Sequence, residues 1–228
     1  MLTTFILLII GGYLLGSIPA SLLAARARGH DLRKVGTFQV GAGNLWRTTS
    51  RRLAVIVGIY DFFKGIVMVT VAFRLGLEPA QQLVVGLAVI VGHNWPVFLR
   101  FHGGRGIATA AGLILFMPII NPVTYWGGIA ALVVLIGGVI LFRSTPVAVL
   151  IGVALQPVFM AAFREDIAIT LAYLALLLVV IIKRLTAQKN TDIRRTGIWR
   201  VLLNRLLYDR DIADRKAWVN RNTKKRAV

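Results

Sequence analysis

The chain has 228 residues, 57% of them hydrophobic, a net charge of +18 and a mean hydropathy of +0.74. Soluble domains are about 45–50% apolar, so these values exclude an ordinary soluble domain and point to a polytopic helical membrane protein. With no cysteine and three histidines, there is no disulfide framework, thiol nucleophile, Cys-ligated metal or His-rich metal site to consider.

In chain order, apolar segments run over 4–25, 53–73, 81–99, 107–120, 124–142, 145–162 and 167–182. Each approaches the roughly 20 residues that cross a hydrocarbon core. The first lacks a basic n-region and a cleavage site, so it reads as a span rather than a removed signal. The fourth is short and is punctuated by "MPIINP" (Met117 to Pro122); if it does not cross, the count falls to five or six. The expectation is an all-α transmembrane bundle of about seven spans over 1–185, followed by a basic tail over 186–228.

The basic residues sort by connector. Arg26, Arg28, Arg33, Lys34, Arg47, Arg51 and Arg52 lie on the first, Arg100 and Arg105 on the third, and Arg143 on the fifth. Fourteen Lys and Arg lie from Lys183 onward, whereas the alternate connectors carry only Arg74 and Arg164. The positive-inside rule then places the N-terminus outside and the C-terminus inside, which requires an odd number of spans. This distribution fits membrane topology, and no nucleic-acid partner is expected. In the tail, Trp199, Leu202, Leu203, Leu206 and Ala213 share a helical face. That pattern fits a basic amphipathic helix on anionic inner-leaflet lipid, or one packed on the end of the bundle.

Three glycine-containing segments fall on the inner side. They are "GSIPAS" (Gly16 to Ser21), "DLRKVGTFQVGAGNLWR" (Asp31 to Arg47) and "GHNWPVFLRFHGGRGIATAAG" (Gly92 to Gly112). Glycine lets backbone amides approach a ligand and form an anion-binding nest. Arginine adds charge and bidentate geometry for phosphate. A helix starting after Gly106 would add its N-terminal amides. The competing reading is that these glycines allow tight helix packing and the arginines anchor to headgroups.

Within span two, Asp61 and Lys64 stand at i, i+3, a spacing that allows an ion pair on one face. Charges at bilayer depth are usually paired or functional, and the pair reads as structural or, alternatively, catalytic. His93 lies at the inner end of span three and His102 borders the glycine loop; each is either a ligand-positioning or an interfacial histidine. Walker and Gly-x-Ser-x-Gly patterns are absent, as is an intramembrane acidic chain for proton relay.

The motifs "GSIPAS", "DLRKVG…VGAGN…R", "DFFKG" and "GHNWPVFLRFHGGRGIAT", in this order, resemble the bacterial PlsY family of acyl-phosphate-dependent glycerol-3-phosphate acyltransferases. The resemblance covers residues 10–115 well and the later spans by hydropathy. It implies a seven-span enzyme of the bacterial cytoplasmic (inner) membrane with a cytoplasm-facing site. The reaction implied is acyl transfer from acyl phosphate to the 1-hydroxyl of glycerol 3-phosphate, giving lysophosphatidic acid for phospholipid synthesis, with no metal or coenzyme A. Carried over onto this sequence, Asn44, Arg47 and Arg105 become catalytic candidates, and Thr37, Gly41, Gly103, Gly104 and Gly106 phosphate-binding ones. Ser17, Asp61, Lys64, His93, His102 and Ser144 are supporting candidates.

The chain also departs from the pattern. Where the family's second motif reads Gly-Ser-Gly-Asn-x-Gly-Ala-Thr-Asn, Thr37, Phe38, Gln39 and Gly43 replace Ser, Gly, Asn and Thr. Arg105 stands for a lysine, and Pro146 falls on a serine register that Ser144 or Thr145 can serve. The family's closing His-Arg-Glu-Asn-Ile gives way to "KRLTAQKNTDIRR". These departures keep a second reading open, a non-catalytic or re-purposed paralogue that binds an anionic lipid or phosphorylated ligand. A small-solute transporter is a third, resting on span count alone.

Overall fold

A computed structural model describes residues 1–142, 145–186, 197–214 and 217–218. Among these the regular structure is helical: α1 (Leu2–Ser17), α2 (Ala20–Arg26), α3 (Ala42–Thr48), α4 (Arg51–Arg74), α5 (Pro79–Asn94), α6 (Ile107–Ile120), α7 (Trp126–Phe142), α8 (Thr145–Ala162), α9 (Ile167–Thr186) and α10 (Ile198–Tyr208). One 3₁₀ turn, Val97–Leu99, follows α5.

Among the described residues five helical segments are long and apolar enough to cross a membrane: Leu2–Arg26, Arg51–Arg74, Pro79–Leu99, Thr145–Ala162 and Ile167–Thr186. Two apolar helices, Ile107–Ile120 and Trp126–Ile140, are shorter. At 1.5 Å per residue, the 14 residues of α6 reach about 21 Å, less than a hydrocarbon core of about 30 Å. The first segment bends between α1 and α2, where Pro19 holds Ile18 in extended backbone (φ −63°, ψ 115°). In "MPIINP" the helix continues through Pro118 and stops at Ile120, so Asn121-Pro122 is the true break.

Lipid-facing surface is apolar: Ile56, Phe63, Val67, Ile119, Ile140 and Leu178 are among the exposed large side chains. With apolar solvent outside, helix association relies on close packing and interhelical hydrogen bonds. Accordingly α1 and α5 approach backbone to backbone: a Cβ on Gly16 would overlap the Val89 carbonyl, and one on Gly92 the Tyr13 carbonyl. The packing reading therefore holds for the first glycine segment. Polar links tie other pairs: Asn121 Nδ2 donates to Gln82 Oε1 (2.8 Å), joining α6 to α5, and Gln156 Nε2 to the Gly127 carbonyl (2.9 Å), joining α8 to α7.

The 27–41 loop, the 95–106 loop, the start of α8 and α10 gather at one end of the bundle. Contacts that unite them include Arg184 Nη2 donating to the Pro146 carbonyl (2.7 Å) and Nη1 to the Leu206 carbonyl (2.6 Å). The tail helix ends at Tyr208, short of Ala213. It buries Val201 and Asn204 against the bundle and leaves Ile198, Leu203 and Trp199, the last 81% exposed, facing outward. The packing reading of the tail thus describes its buried face.

Candidate active site

The second motif forms a loop wound around one side chain. Buried Asn44 in α3 accepts the Thr37 amide at Oδ1 (3.0 Å) and donates Nδ2 toward the carbonyls of Leu32, Val35 and Gln39 (3.0–3.1 Å). Its amide is engaged within the protein, so Asn44 shapes the loop. Gly41 caps α3 in extended backbone. Arg47 is exposed on α3 and donates Nη1 to the Gly43 carbonyl (3.0 Å). Phe38, standing where the family has glycine, is left-handed at φ 62°.

The third motif reverses the chain through left-handed Arg100 and Phe101 (φ 51° and 64°). The amides of Gly103 and Gly104 then donate to the carbonyls of Asn94 (3.2 Å) and His93 (3.0 Å). Substituents there have no room: a Cβ on Gly103 would overlap the His93 carbonyl, and one on Gly104 would overlap His93 Nε2 and lie 2.7 Å from the Val40 carbonyl. These two glycines dock the loop on α5 and on the second motif, and their amides are already spent. Gly106 (φ 66°) begins α6 with no side-chain cap on the helix's first-turn amides. A Cβ on Gly106 would lie 2.8 Å from Oδ1 of fully buried Asn94, whose Oδ1 and Nδ2 have no hydrogen bond among the described residues.

Beneath this loop lies a buried polar spine. Lys64 Nζ donates to Asp61 Oδ1 (2.8 Å) and lies 2.7 Å from His93 Nδ1, while His93 Nδ1 is 3.4 Å from Asp61 Oδ1. The side chains of Lys64 and Asp61 are 1% and 7% exposed. Thr109 in α6 donates to the Asp61 carbonyl (2.8 Å), and Ser17 to the Tyr13 carbonyl (2.8 Å). Ser17, Asp61, His93, Gly103 and Gly104 line a pocket of about 10 Å³, about the room one water needs. Five of the sequence candidates are therefore neighbours. His102 is exposed on the rim, its Nδ1 2.6 Å from the Arg100 carbonyl. Ser144 lies outside the described residues.

Arg105 faces the far side of the loop and pairs with Asp209 just after α10. Burial lowers its pKa to about 9, and Arg184 pushes the same way while Asp211 opposes; the group stays charged at neutral pH. Two cations the motif reading passed over lie close by. Lys183 donates to the Asn94 carbonyl and sits 5.0 Å from the centre of the Trp95 ring. Arg184 bridges α8 and α10. Both occupy the last turn of α9. Their sequence signal is two adjacent cations at the end of an apolar span, which count there as topology markers. An apolar cavity of about 70 Å³ begins at Ile107 and continues between α6, α7 and α8 past Ala110, Ile114, Leu132 and Gly152.

A helical membrane bundle with interlocked glycine loops, buried cations and an adjoining apolar cavity at one end defines an integral membrane protein suited to an anionic, lipid-like ligand. The comparisons agree. The glycerol-3-phosphate acyltransferase family matches residues 6–195. "Glycerol-3-phosphate acyltransferase 5" of Dehalococcoides mccartyi is 39% identical over 231 residues, covering 98% of this chain and 96% of its own. A glycerol-3-phosphate acyltransferase of Geotalea daltonii is 38% identical, over 78% of this chain and 90% of its own. The crystal structure of PlsY (YgiH), an integral membrane glycerol 3-phosphate acyltransferase, in its glycerol 3-phosphate form superposes with a TM-score of 0.71 at 28% identity, covering 89% and 94% of the two chains. The chain belongs to the glycerol-3-phosphate acyltransferase family.

Proposed function

We propose that this chain acylates the 1-hydroxyl of glycerol 3-phosphate, with acyl phosphate as donor, and releases lysophosphatidic acid and inorganic phosphate. The observation that carries the reading is the interlocking of the second and third motifs through Val40 and Gly104, with Arg105 beside the open N-terminus of α6. The apolar cavity begins two residues after Arg105. A donor with its chain in that cavity would present its phosphate to Arg105 and to the α6 amides.

The chemistry asks for little more. Acyl phosphate is already activated, and its leaving group is a stable anion. Arg105, the α6 amides, Arg47 and Thr37 would bind and stabilise phosphate charge as the carbonyl carbon passes from the phosphate oxygen to the acceptor hydroxyl. Asn44, Gly103 and Gly104 would hold the two loops in register. A substrate phosphate can take the hydroxyl proton, so no protein base is required. The site would face the cytoplasm at the basic end of a seven-span bundle in the bacterial inner membrane, with α6 and α7 as short crossings and the tail against anionic lipid.

The test is direct. Purified protein given acyl phosphate and glycerol 3-phosphate should form lysophosphatidate, and Arg47→Ala and Arg105→Ala should lose most of that activity. Absence of product beside a working family member would sink the proposal in favour of a ligand-binding paralogue.

A further inference from the structure

Arg105 does not face open solvent, although the reading above gives it a phosphate. Both of its terminal nitrogens are occupied: Nη1 and Nη2 donate to the Asp209 carbonyl (3.3 and 3.2 Å), and Nη1 also meets the Asp209 carboxylate. That terminal edge is the one a guanidinium offers to a phosphate in bidentate fashion.

Asp209 is set there by a built turn. It caps α10 in left-handed backbone (φ 57°), a position where glycine is the low-strain choice. The turn is tied down next to it. Asn204 Nδ2 donates to the Asp211 carbonyl (3.0 Å), Arg205 Nε to the Asp211 carboxylate (2.5 Å), and Arg205 Nη1 to the Leu185 carbonyl (2.8 Å). Arg184 holds the helix itself through the Leu206 carbonyl. Only nine carboxylates occur in the chain, yet Asp209 and Asp211 both lie in this cationic corner. The family match ends at residue 195, before α10 begins, while the 39%-identical relative from Dehalococcoides mccartyi covers 98% of this chain, so the tail lies beyond the family's common bundle.

We propose that α10 and its Asp209 form an autoinhibitory latch, in which the Asp209 carboxylate stands in for the substrate phosphate on Arg105 and must be displaced before acyl phosphate binds. This rests on the acyltransferase reading of the site. A phosphate dianion carries more charge than a carboxylate and gains the α6 amides as well, so substrate itself can open the latch. The outward face of α10, with Trp199 and Leu203, gives the released helix an apolar side to lay on lipid.

Two measurements on the full chain test this. The first compares Asp209→Asn and Asp209→Ala with the wild type. The competing carboxylate of the ion pair is removed while the backbone carbonyl contact stays, so KM for acyl phosphate should fall about tenfold with kcat within about twofold. An unchanged or raised KM in both variants overturns the latch, because Asp209 would then be neutral or would position Arg105. The second uses inorganic phosphate and does not depend on turnover. Saturating phosphate should raise hydrogen–deuterium exchange over 198–208 in the wild type, and Asp209→Asn should show raised exchange without it. Exchange that phosphate leaves unaltered also overturns the latch. Phosphate-driven opening without acyl transfer would support the latch while removing the acyltransferase reading; turnover with neither effect would do the reverse.

Discussion

Replacing Lys64 by methionine isolates the energetics of the buried spine. Methionine fits the volume and keeps the helix, but it leaves the Asp61 carboxylate, 7% exposed, with His93 at 3.4 Å as its nearest ionisable partner. Removing one partner of a buried pair costs about 3–5 kcal/mol, because the other charge stays desolvated and unmatched. His93 Nδ1, 3.4 Å from the carboxylate, can still donate a hydrogen bond to it, so the low end, about 3 kcal/mol, is expected. For a chain of this length each kcal/mol shifts the thermal midpoint by about 2–4 °C, which puts the loss at roughly 6–12 °C. The assay is thermal unfolding of detergent-solubilised protein for Lys64→Met, Asp61→Leu and the double variant, at equal detergent and lipid. Replacing a whole buried pair by apolar groups is often neutral, so the double variant should recover most of the lost midpoint. A Lys64→Met protein within 2 °C of wild type, or a double variant less stable than both singles, would refute the claim that the spine's net effect is charge matching.

Gly104→Ala should lower acyl transfer at least tenfold, since its Cβ overlaps His93 and lies 2.7 Å from the Val40 carbonyl; steady-state kinetics on folded protein checks this. Asn44→Ala strands the Thr37 amide and three carbonyls in a buried loop, at about 1–3 kcal/mol, and should raise hydrogen exchange over 32–40 while leaving α5 protected. Arg105→Ala should reduce kcat/KM for acyl phosphate by about 10²–10³, the loss typical of one electrostatic donor at a transition state. Arg47→Ala, on an exposed side chain, should act mainly on KM for a phosphate substrate, and a pure kcat effect would contradict its assignment to binding.

Much of the fold is legible in the sequence because hydropathy and glycine spacing act locally. The long helices follow the apolar runs, and the i, i+3 spacing of Asp61 and Lys64 does produce their pair. What a linear reading misses is where hydrogen-bonding capacity is spent. Gly103 and Gly104 look like amide donors for an anion, but the amides point at α5, because the reversal at Arg100 and Phe101 folds the loop back on the helix it left. Asn44 reads as a catalytic amide, yet four backbone groups from residues five to twelve positions away converge on it. Lys183 and Arg184 belong to no motif; α9 carries them to Asn94 and Pro146 from 89 and 38 residues away. Asp209 reaches Arg105 across 104 residues, a contact that no local pattern encodes.

Phe38 shows how the departures from the family motif are accommodated. The residue occupies a glycine register and adopts the left-handed backbone that glycine takes freely, at φ 62°. For a bulky side chain that conformation costs about 1–2 kcal/mol. The loop keeps it because the surrounding bonds over-determine it: Asn44 grips Thr37 before and Gln39 after, and Gly36 (φ 61°) leaves Asn44 its space. The substitution therefore alters what the loop presents while preserving its path.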